Sequence, residues 1–492
     1  MKNKILIAVT LFVCTVASSC NNWLDVTPQA QVNADKLFST PEGYESAVYG
    51  IYTAMTDASI YGTHMTFGFM DVLAQYYYAS WDKSHNLYEC SQYHYNNGTT
   101  QNLISNLWLK SYNTIANCNV LLERLKGQSP SFFPEGEYNL IYGEVLALRA
   151  FLHFDLLRAF APSWNVDKEA LCLPYADNFG DKIYRQKKTT EIVRALIHDL
   201  DTARILLKPV DRAVQDEFKD MYNHYVTDAD NVFLSARAYR MNYWAVTGLL
   251  ARVYHYMGDP KAYTYANEVI QALRDGYFQF TPESALSAPV KTRDVIMQNE
   301  VLFALNYSGI HDLWYSYDAS TTTDYEIDGV SRLYPSGDDF RGQYLVTAGK
   351  AGYEVSIKYA DVKSDKGGKI PMIRLSEMFL IAAESGFDQD KENAIALLEE
   401  LRLNRGIGAE ISATISAEKF REELTIEARR EFLGEGQMFY WYKRLGLPVG
   451  LDEIEVSPAT FCLPLPATEV EFGNRTEDYI KNLKSLVSTK KS

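Results

Sequence analysis

Residues 143–160 carry apolar side chains almost all the way round a helix, with Leu148, Phe151, Leu152, Phe154, Leu156 and Leu157 on every side. A helix without a polar face is stable only between other elements, so this segment requires neighbours on several sides. Arg149, Asp155 and Arg158 interrupt it. Charges in such places must pair or reach an edge, which predicts a structural ion-pair network there rather than chemistry.

The neighbours are legible too. Thr40-Pro41-Glu42 reads as an N-cap, a proline at the first helical turn and an acid near the positive end of the dipole, starting a helix through Ala47, Ile51 and Met55. Between 104 and 125, Ile104, Trp108, Tyr112, Ile115, Cys118, Leu122 and Leu125 recur at spacings of three and four, giving one buried face. In 242–273, Gly248, Ala251, Tyr254, the Gly258-Asp259 turn, Ala262, Ala266 and Val269 place small residues where two helices would touch, a tetratricopeptide-like unit one residue off the usual spacing. A second pair spans Arg374 to Arg405, with Met378, Ile381 and Ala382, a Gly386-Phe387-Asp388 turn, then Ala394, Leu397, Leu398 and Leu401. Gly406-Ile407-Gly408 reads as a helix end. Neither pair is stable alone, whereas stacked with the helices of 40–207 they bury a continuous core. The expected class is mainly α, a solenoid-like scaffold of tetratricopeptide-like helix pairs with an irregular, loop-rich portion.

The N-terminus points to export. Lys2 and Lys4 precede an apolar run, Ile5 to Cys14, too short to span a bilayer but fitting the central region of a secretory signal; Ala17, Ser18, Ser19 and Cys20 follow. Small residues abutting a cysteine resemble a bacterial lipobox, which makes Cys20 the candidate lipid anchor after loss of 1–19; ordinary secretory cleavage beside an incidental cysteine is the alternative. No later stretch approaches the apolar length of a membrane span. The four remaining body cysteines, Cys90, Cys118, Cys172 and Cys462, lie far apart with no Cys-x-x-Cys unit, so no metal site is expected and their pairing stays open. A net charge of −15 argues against nucleic acid.

Aromatic residues make up 13% of the chain, including 35 Tyr and 7 Trp, more polar-tipped rings than a core requires. Many fall in two stretches without helical period. Around 75–100 lie Tyr76, Tyr77, Tyr78, Trp81, Tyr88, Tyr93 and Tyr95, with a turn signal at Asn97-Gly98; 274–370 holds Trp314, Tyr315, Tyr317, Tyr325, Tyr334 and Tyr344. A non-periodic connection of that length is usually functional. Tyr76 to Tyr78, continuing a helix, belong at least partly to the core.

Several segments carry a family resemblance. Cys20-Asn21-Asn22-Trp23-Leu24-Asp25 with Pro28 resembles the start of the SusD/RagB family of surface nutrient-uptake lipoproteins of Gram-negative bacteria. Glu144 to Phe151 with Phe154-Asp155-Leu156 is similar to the family's inner helix, and Arg374 to Met378 with Ala382-Ala383-Glu384 to its C-terminal signature. Glu427, Arg429, Glu431, Glu435-Gly436, Arg444 and the closing Leu463-Pro464-Leu465-Pro466 with Glu469 also match, while Ala428, Met438 and Trp441 stand where the family usually has Arg, Arg and Asp. The resemblance implies one SusD-like domain over 20–492, with a helical part at about 38–273, a loop-rich insertion at about 274–370 and a C-terminal part at about 371–492. It further implies a protein without catalysis or cofactor, lipid-anchored at the outer membrane and facing outward. Its partners would be an oligosaccharide or polysaccharide, or in some members a peptide, and a SusC-like TonB-dependent transporter. Tyr and Trp offer flat apolar faces to sugar rings and polar edges to hydroxyls. The candidate ligand contacts are therefore Trp81, Trp314, Tyr315 and Tyr317, then Tyr88, Tyr93 and Tyr95.

Two other classes compete. A glycoside hydrolase needs two carboxylates across a sugar ring, and 63 acids permit such a pair without any local pattern naming one. The eight histidines include no His-x-x-x-His spacing, and no Gly-x-Ser-x-Gly or phosphate loop occurs. A pure interaction scaffold is the third class, since helical repeats often bind peptides on a concave face.

Overall fold

The structure, a computed structural model, describes residues 34–77, 87–180, 183–216, 219, 232–235, 237–318, 325–349, 354–360 and 366–483. The chain divides into two compact units, residues 1–47 and 48–492. In the first, the rings of Phe38 and Tyr44 meet at 4.9 Å. Helix α1, Pro41–Met55, starts where the Thr-Pro-Glu signal places it, with Glu42 in its first turn.

The second unit is mainly helical. Its helices include α2 (Gly98–Lys126), α3 (Glu137–Phe160), α4 (Thr189–Leu207), α5 (Tyr243–Met257), α6 (Lys261–Arg274), α7 (Ile310–Asp318), α8 (Leu375–Gly386), α9 (Lys391–Leu403), α10 (Ala417–Glu431) and α11 (Met438–Leu445). Apart from the short α7, each of α2 to α8 packs on the next in chain order. That is the serial stacking expected of helix pairs that cannot bury their apolar faces alone. Strand β1 (Val301–Asn306) pairs antiparallel with β2 (Lys369–Arg374), so both ends of the 307–368 excursion are pinned to one place.

Helix α3 is buried along nearly its whole length, as a helix with no polar face must be. Gly143 lets α4 approach, because a Cβ there would stand 3.0 Å from the Ala203 carbonyl oxygen. The α5–α6 turn closes on Gly258 at φ +68°, and the α8–α9 turn on Asp390, whose carboxylate accepts the Asn393 N–H at 3.1 Å. At Asn97-Gly98, the expected turn is instead the start of α2: the Asn97 side chain accepts the Thr99 N–H at 2.9 Å, the capping use of the same short amide. Gly406, φ +85°, ends α9 as its motif predicts, with the Ile407 N–H returning to the Arg402 oxygen at 2.9 Å.

The charges on α3 are structural, as expected. Arg149 grips Asp199 of α4 at 2.7 Å and the Asn119 amide oxygen of α2 at 3.0 Å. Arg158 pairs with Asp155, which also accepts the Tyr61 hydroxyl at 2.9 Å. Glu144 takes Arg237 and Arg240, each at 2.6 Å. A larger network joins the loop-rich segment to the C-terminal helices. Glu431 accepts from Arg341 at 2.7 Å, Arg374 at 2.9 Å and Arg405 at 2.6 Å. Glu300, Asp339, Glu427 and Glu435 complete the neutralisation of those guanidiniums.

Buried His153 is neutral. Its Nδ1–H donates to the Arg149 oxygen at 2.9 Å and its Nε2 accepts the Ala176 N–H at 3.0 Å. Burial pushes its pKa down to about 3. An unfolded histidine takes up a proton below about 6.5, so the stability held by neutral His153 is intact above that pH and drains away as pH falls towards 3. Between pH 6.5 and 5 the wild type should lose about 2 kcal/mol more than His153→Gln. Urea midpoints at the two pH values measure this, and parallel pH profiles for the two proteins would refute it.

The body cysteines Cys90, Cys118, Cys172 and Cys462 are free and buried. Among the described residues, no helix is long and apolar enough to cross a membrane.

Candidate functional site

A groove of about 440 Å³ on the second unit lies where three pieces of chain meet. The end of α1 and the turn after it contribute Thr53, Ala54, Thr56, Asp57 and Ala58. Helix α2 contributes Lys110, Asn113, Thr114 and Asn117, the β1–α7 connection contributes Tyr307, and α7 itself contributes Leu313. Its size falls in the range of small-molecule pockets, roughly 300–1,000 Å³.

The sequence explains each wall. On α2, the apolar stripe through Leu107, Ile115 and Cys118 faces the core, so Asn113 and Asn117, one turn apart, are exposed. Asp57 bonds the Ser59 N–H at 2.9 Å, and Lys110 sits 2.8 Å from its carboxylate. Partial burial opposes ionisation of Asp57, but the Lys110 ammonium and the Ser59 N–H outweigh it and hold the pKa below the usual carboxylate range. Threonine hydroxyls in the wall are turned to backbone: Thr53 to Tyr49, Thr56 to Thr53 and Thr114 to Lys110. Tyr307 leaves β1 where its N–H reaches the Gly368 oxygen at 2.7 Å, and its half-buried ring lines the groove. The groove therefore presents one aromatic face, two amides and one ion pair.

Cys20 and Trp81, with Tyr78, lie outside the described residues. Trp314 is in α7, not in irregular chain, and is only 4% exposed. Its ring stacks on Tyr325 at 5.3 Å and lies edge-to-face with Phe67 at 5.0 Å, so it is buried among core rings rather than presented to a ligand. Leu313, the residue before it, faces the groove. Tyr315 and Tyr317 continue the same helix. Tyr88 opens a short helix, Tyr88–Ser91, and is half-buried. The Tyr93 hydroxyl donates to the Leu73 oxygen at 2.9 Å and accepts the Gln75 amide at 3.1 Å, and Tyr95 donates to the Thr460 oxygen at 2.7 Å. Tyr93 and Gln75, bonded to each other, both sit at positive φ, 57° and 55°, a strained pair held by the scaffold. Tyr76 and Tyr77 are core, as expected.

Sequence reasoning passed over Tyr307, Asn113, Asn117 and the Asp57–Lys110 pair. The one available signal was the i, i+4 amide pair on the polar side of α2, which by itself is indistinguishable from an ordinary solvated face.

With fold and groove described, the class of protein is clear. A family model described as "Starch-binding associating with outer membrane" matches residues 22–255, and the model of the SusD family matches residues 221–480. The chain belongs to the SusD family. Among solved structures, a SusD superfamily protein from Bacteroides thetaiotaomicron VPI-5482 aligns with a TM-score of 0.70 at 23% identity, over 88% of this chain and 98% of that one. A SusD-like carbohydrate binding protein from Bacteroides vulgatus ATCC 8482 gives 0.64 at 20% identity, over 82% and 83%. Surface glycan-binding protein A from Bacteroides thetaiotaomicron gives 0.63 at 16% identity, over 89% and 99%. No curated protein matches the chain in sequence.

Proposed function

We propose that this protein is an outer-membrane lipoprotein, anchored through Cys20, that captures a glycan in the groove beside Tyr307 and passes it to a SusC-like TonB-dependent transporter. The observation that carries the reading is a groove of ligand size, in a SusD-family chain, offering an aromatic ring next to two exposed amides. Tyr307 supplies the flat face for sugar C–H surfaces; Asn113 and Asn117 can each donate to and accept from hydroxyls. Tyr315 and Tyr317 follow Leu313 of the groove wall on α7, and with Trp81 they remain candidate contacts. Trp314 does not, because it is buried among core rings.

A binding role fits the groove better than hydrolysis. Glycosidases need two carboxyl groups across the sugar, one of them holding a proton, whereas Asp57 is the sole acid among the described residues of this lining and is held ionised by Lys110. The same Asp57–Lys110 pair favours one second reading, capture of a peptide whose termini carry both charges.

Affinity electrophoresis of the chain from residue 21 onward, against plant, host and microbial polysaccharides with product analysis, tests the proposal. One glycan should retard the protein without being cut. Tyr307→Ala, and separately the pair Asn113→Ala with Asn117→Ala, should each weaken that binding about tenfold, the equivalent of ~1.4 kcal/mol. Undiminished retardation by both variants would remove the groove from the site, and released sugars would remove the binding-only reading.

A further inference from the structure

A second cavity, about 40 Å³, lies between α3, α5, α8 and α11, apart from the groove. Its lining combines Arg158, Arg252 and Tyr440, and each has one buried donor without a partner: Arg158 Nε, Arg252 Nη1 and the Tyr440 hydroxyl. All three residues are at least nine-tenths buried, at 5%, 4% and 5% exposure. The other donors of the two arginines are used. Arg158 gives Nη1 to the Gln437 amide oxygen and Nη2 to Asp155; Arg252 gives Nε and Nη2 to Glu377 and Nη2 to the Met372 oxygen.

Each side-chain carboxylate and amide acceptor in the lining already takes at least one hydrogen bond. Both Glu377 oxygens take Arg252, and the Gln437 oxygen takes Arg158. Arg444 and His255 of the lining turn to Glu384, at 2.6 and 3.0 Å. What faces the space is therefore donor-rich and acceptor-poor. Leaving such donors unmet would cost about 1–3 kcal/mol each. A water molecule accepts two hydrogen bonds but brings two protons of its own that need acceptors; a halide accepts from every direction and brings none. About 40 Å³ suits a monatomic guest.

We propose that this cavity is a halide site, occupied by one chloride ion held by Arg158 Nε, Arg252 Nη1 and the Tyr440 hydroxyl. Asp155, Glu377 and Glu384 balance Arg158, Arg252 and Arg444, so the ion is held by directed donors rather than by excess charge. Sulfate, larger and tetrahedral, should not replace it.

Crystals of the whole chain grown in bromide should show one anomalous peak in the cavity. At constant ionic strength, replacing gluconate by chloride up to ~0.5 M should raise the thermal midpoint by about 1–2 °C, and sulfate should not. Tyr440→Phe keeps the ring that covers Arg158 at 4.1 Å but removes one donor, and should at least halve the chloride effect. Absence of the bromide peak overturns the proposal whatever the variant does. So does a midpoint indifferent to chloride, or a Tyr440→Phe protein that responds to chloride like the wild type.

Discussion

Glu431→Gln should cost about 3–5 kcal/mol. The carboxylate is buried at 2% exposure and takes Arg341, Arg374 and Arg405 at once. Burial opposes its ionisation, but the three guanidiniums, Arg405 foremost, hold its pKa well below the usual carboxylate range. The amide of glutamine keeps the shape, removes the charge and aims an NH₂ at cations that need an acceptor. Arg374 and Arg405 retain Glu435 and Glu300, so the site should loosen rather than empty. A sharply lower urea midpoint, with a native-like circular dichroism spectrum in buffer, is the expected record. A midpoint within about 1 kcal/mol of wild type would mean that this network is dispensable.

Gly436→Ala should cost about 3 kcal/mol for a different reason. Gly436 sits at φ +67°, where an L-residue carries a penalty of roughly 1–2 kcal/mol. A Cβ there would lie 2.0 Å from the Met65 oxygen, a clash only the backbone can relieve. The shift would disturb Asp71, whose carboxylate accepts the Gly434 and Gly436 N–H groups at 2.7 and 3.0 Å inside the core. Differential scanning calorimetry of the single variant measures this. An unchanged midpoint would mean that the 434–436 turn moves aside freely.

The helix pairs were legible in the sequence because their signal is local: small residues at i, i+4, a glycine turn, and an apolar stripe can be read in thirty residues. Arg149, Asp155 and Arg158 were legible as a structural network because an all-apolar helix leaves a charge nowhere else to go. The aromatic positions were not, since a ring is equally at home in a core and on a platform, and only tertiary neighbours decide. Trp314 illustrates this, buried against Phe67 from a distant part of the chain and stacked on Tyr325. Tyr307 shows the converse, an undistinguished residue after a strand that packing leaves beside Asn113 and Asn117. Asn97 was misread because a short amide serves a turn and a helix cap with the same hydrogen bond.

The Glu431 network also orders events in time. A chain made from its N-terminus presents Arg341, Arg374 and Arg405 well before Glu427 and Glu431 exist. Arg341 can meet Asp339, and Arg405 can meet Glu300, before that, but the carboxylate that joins all three cations arrives only with α10. Contacts so far apart in sequence are slow to close. The joining of the loop-rich part to α10 is thus a late event, fixed by where Glu431 stands in the chain.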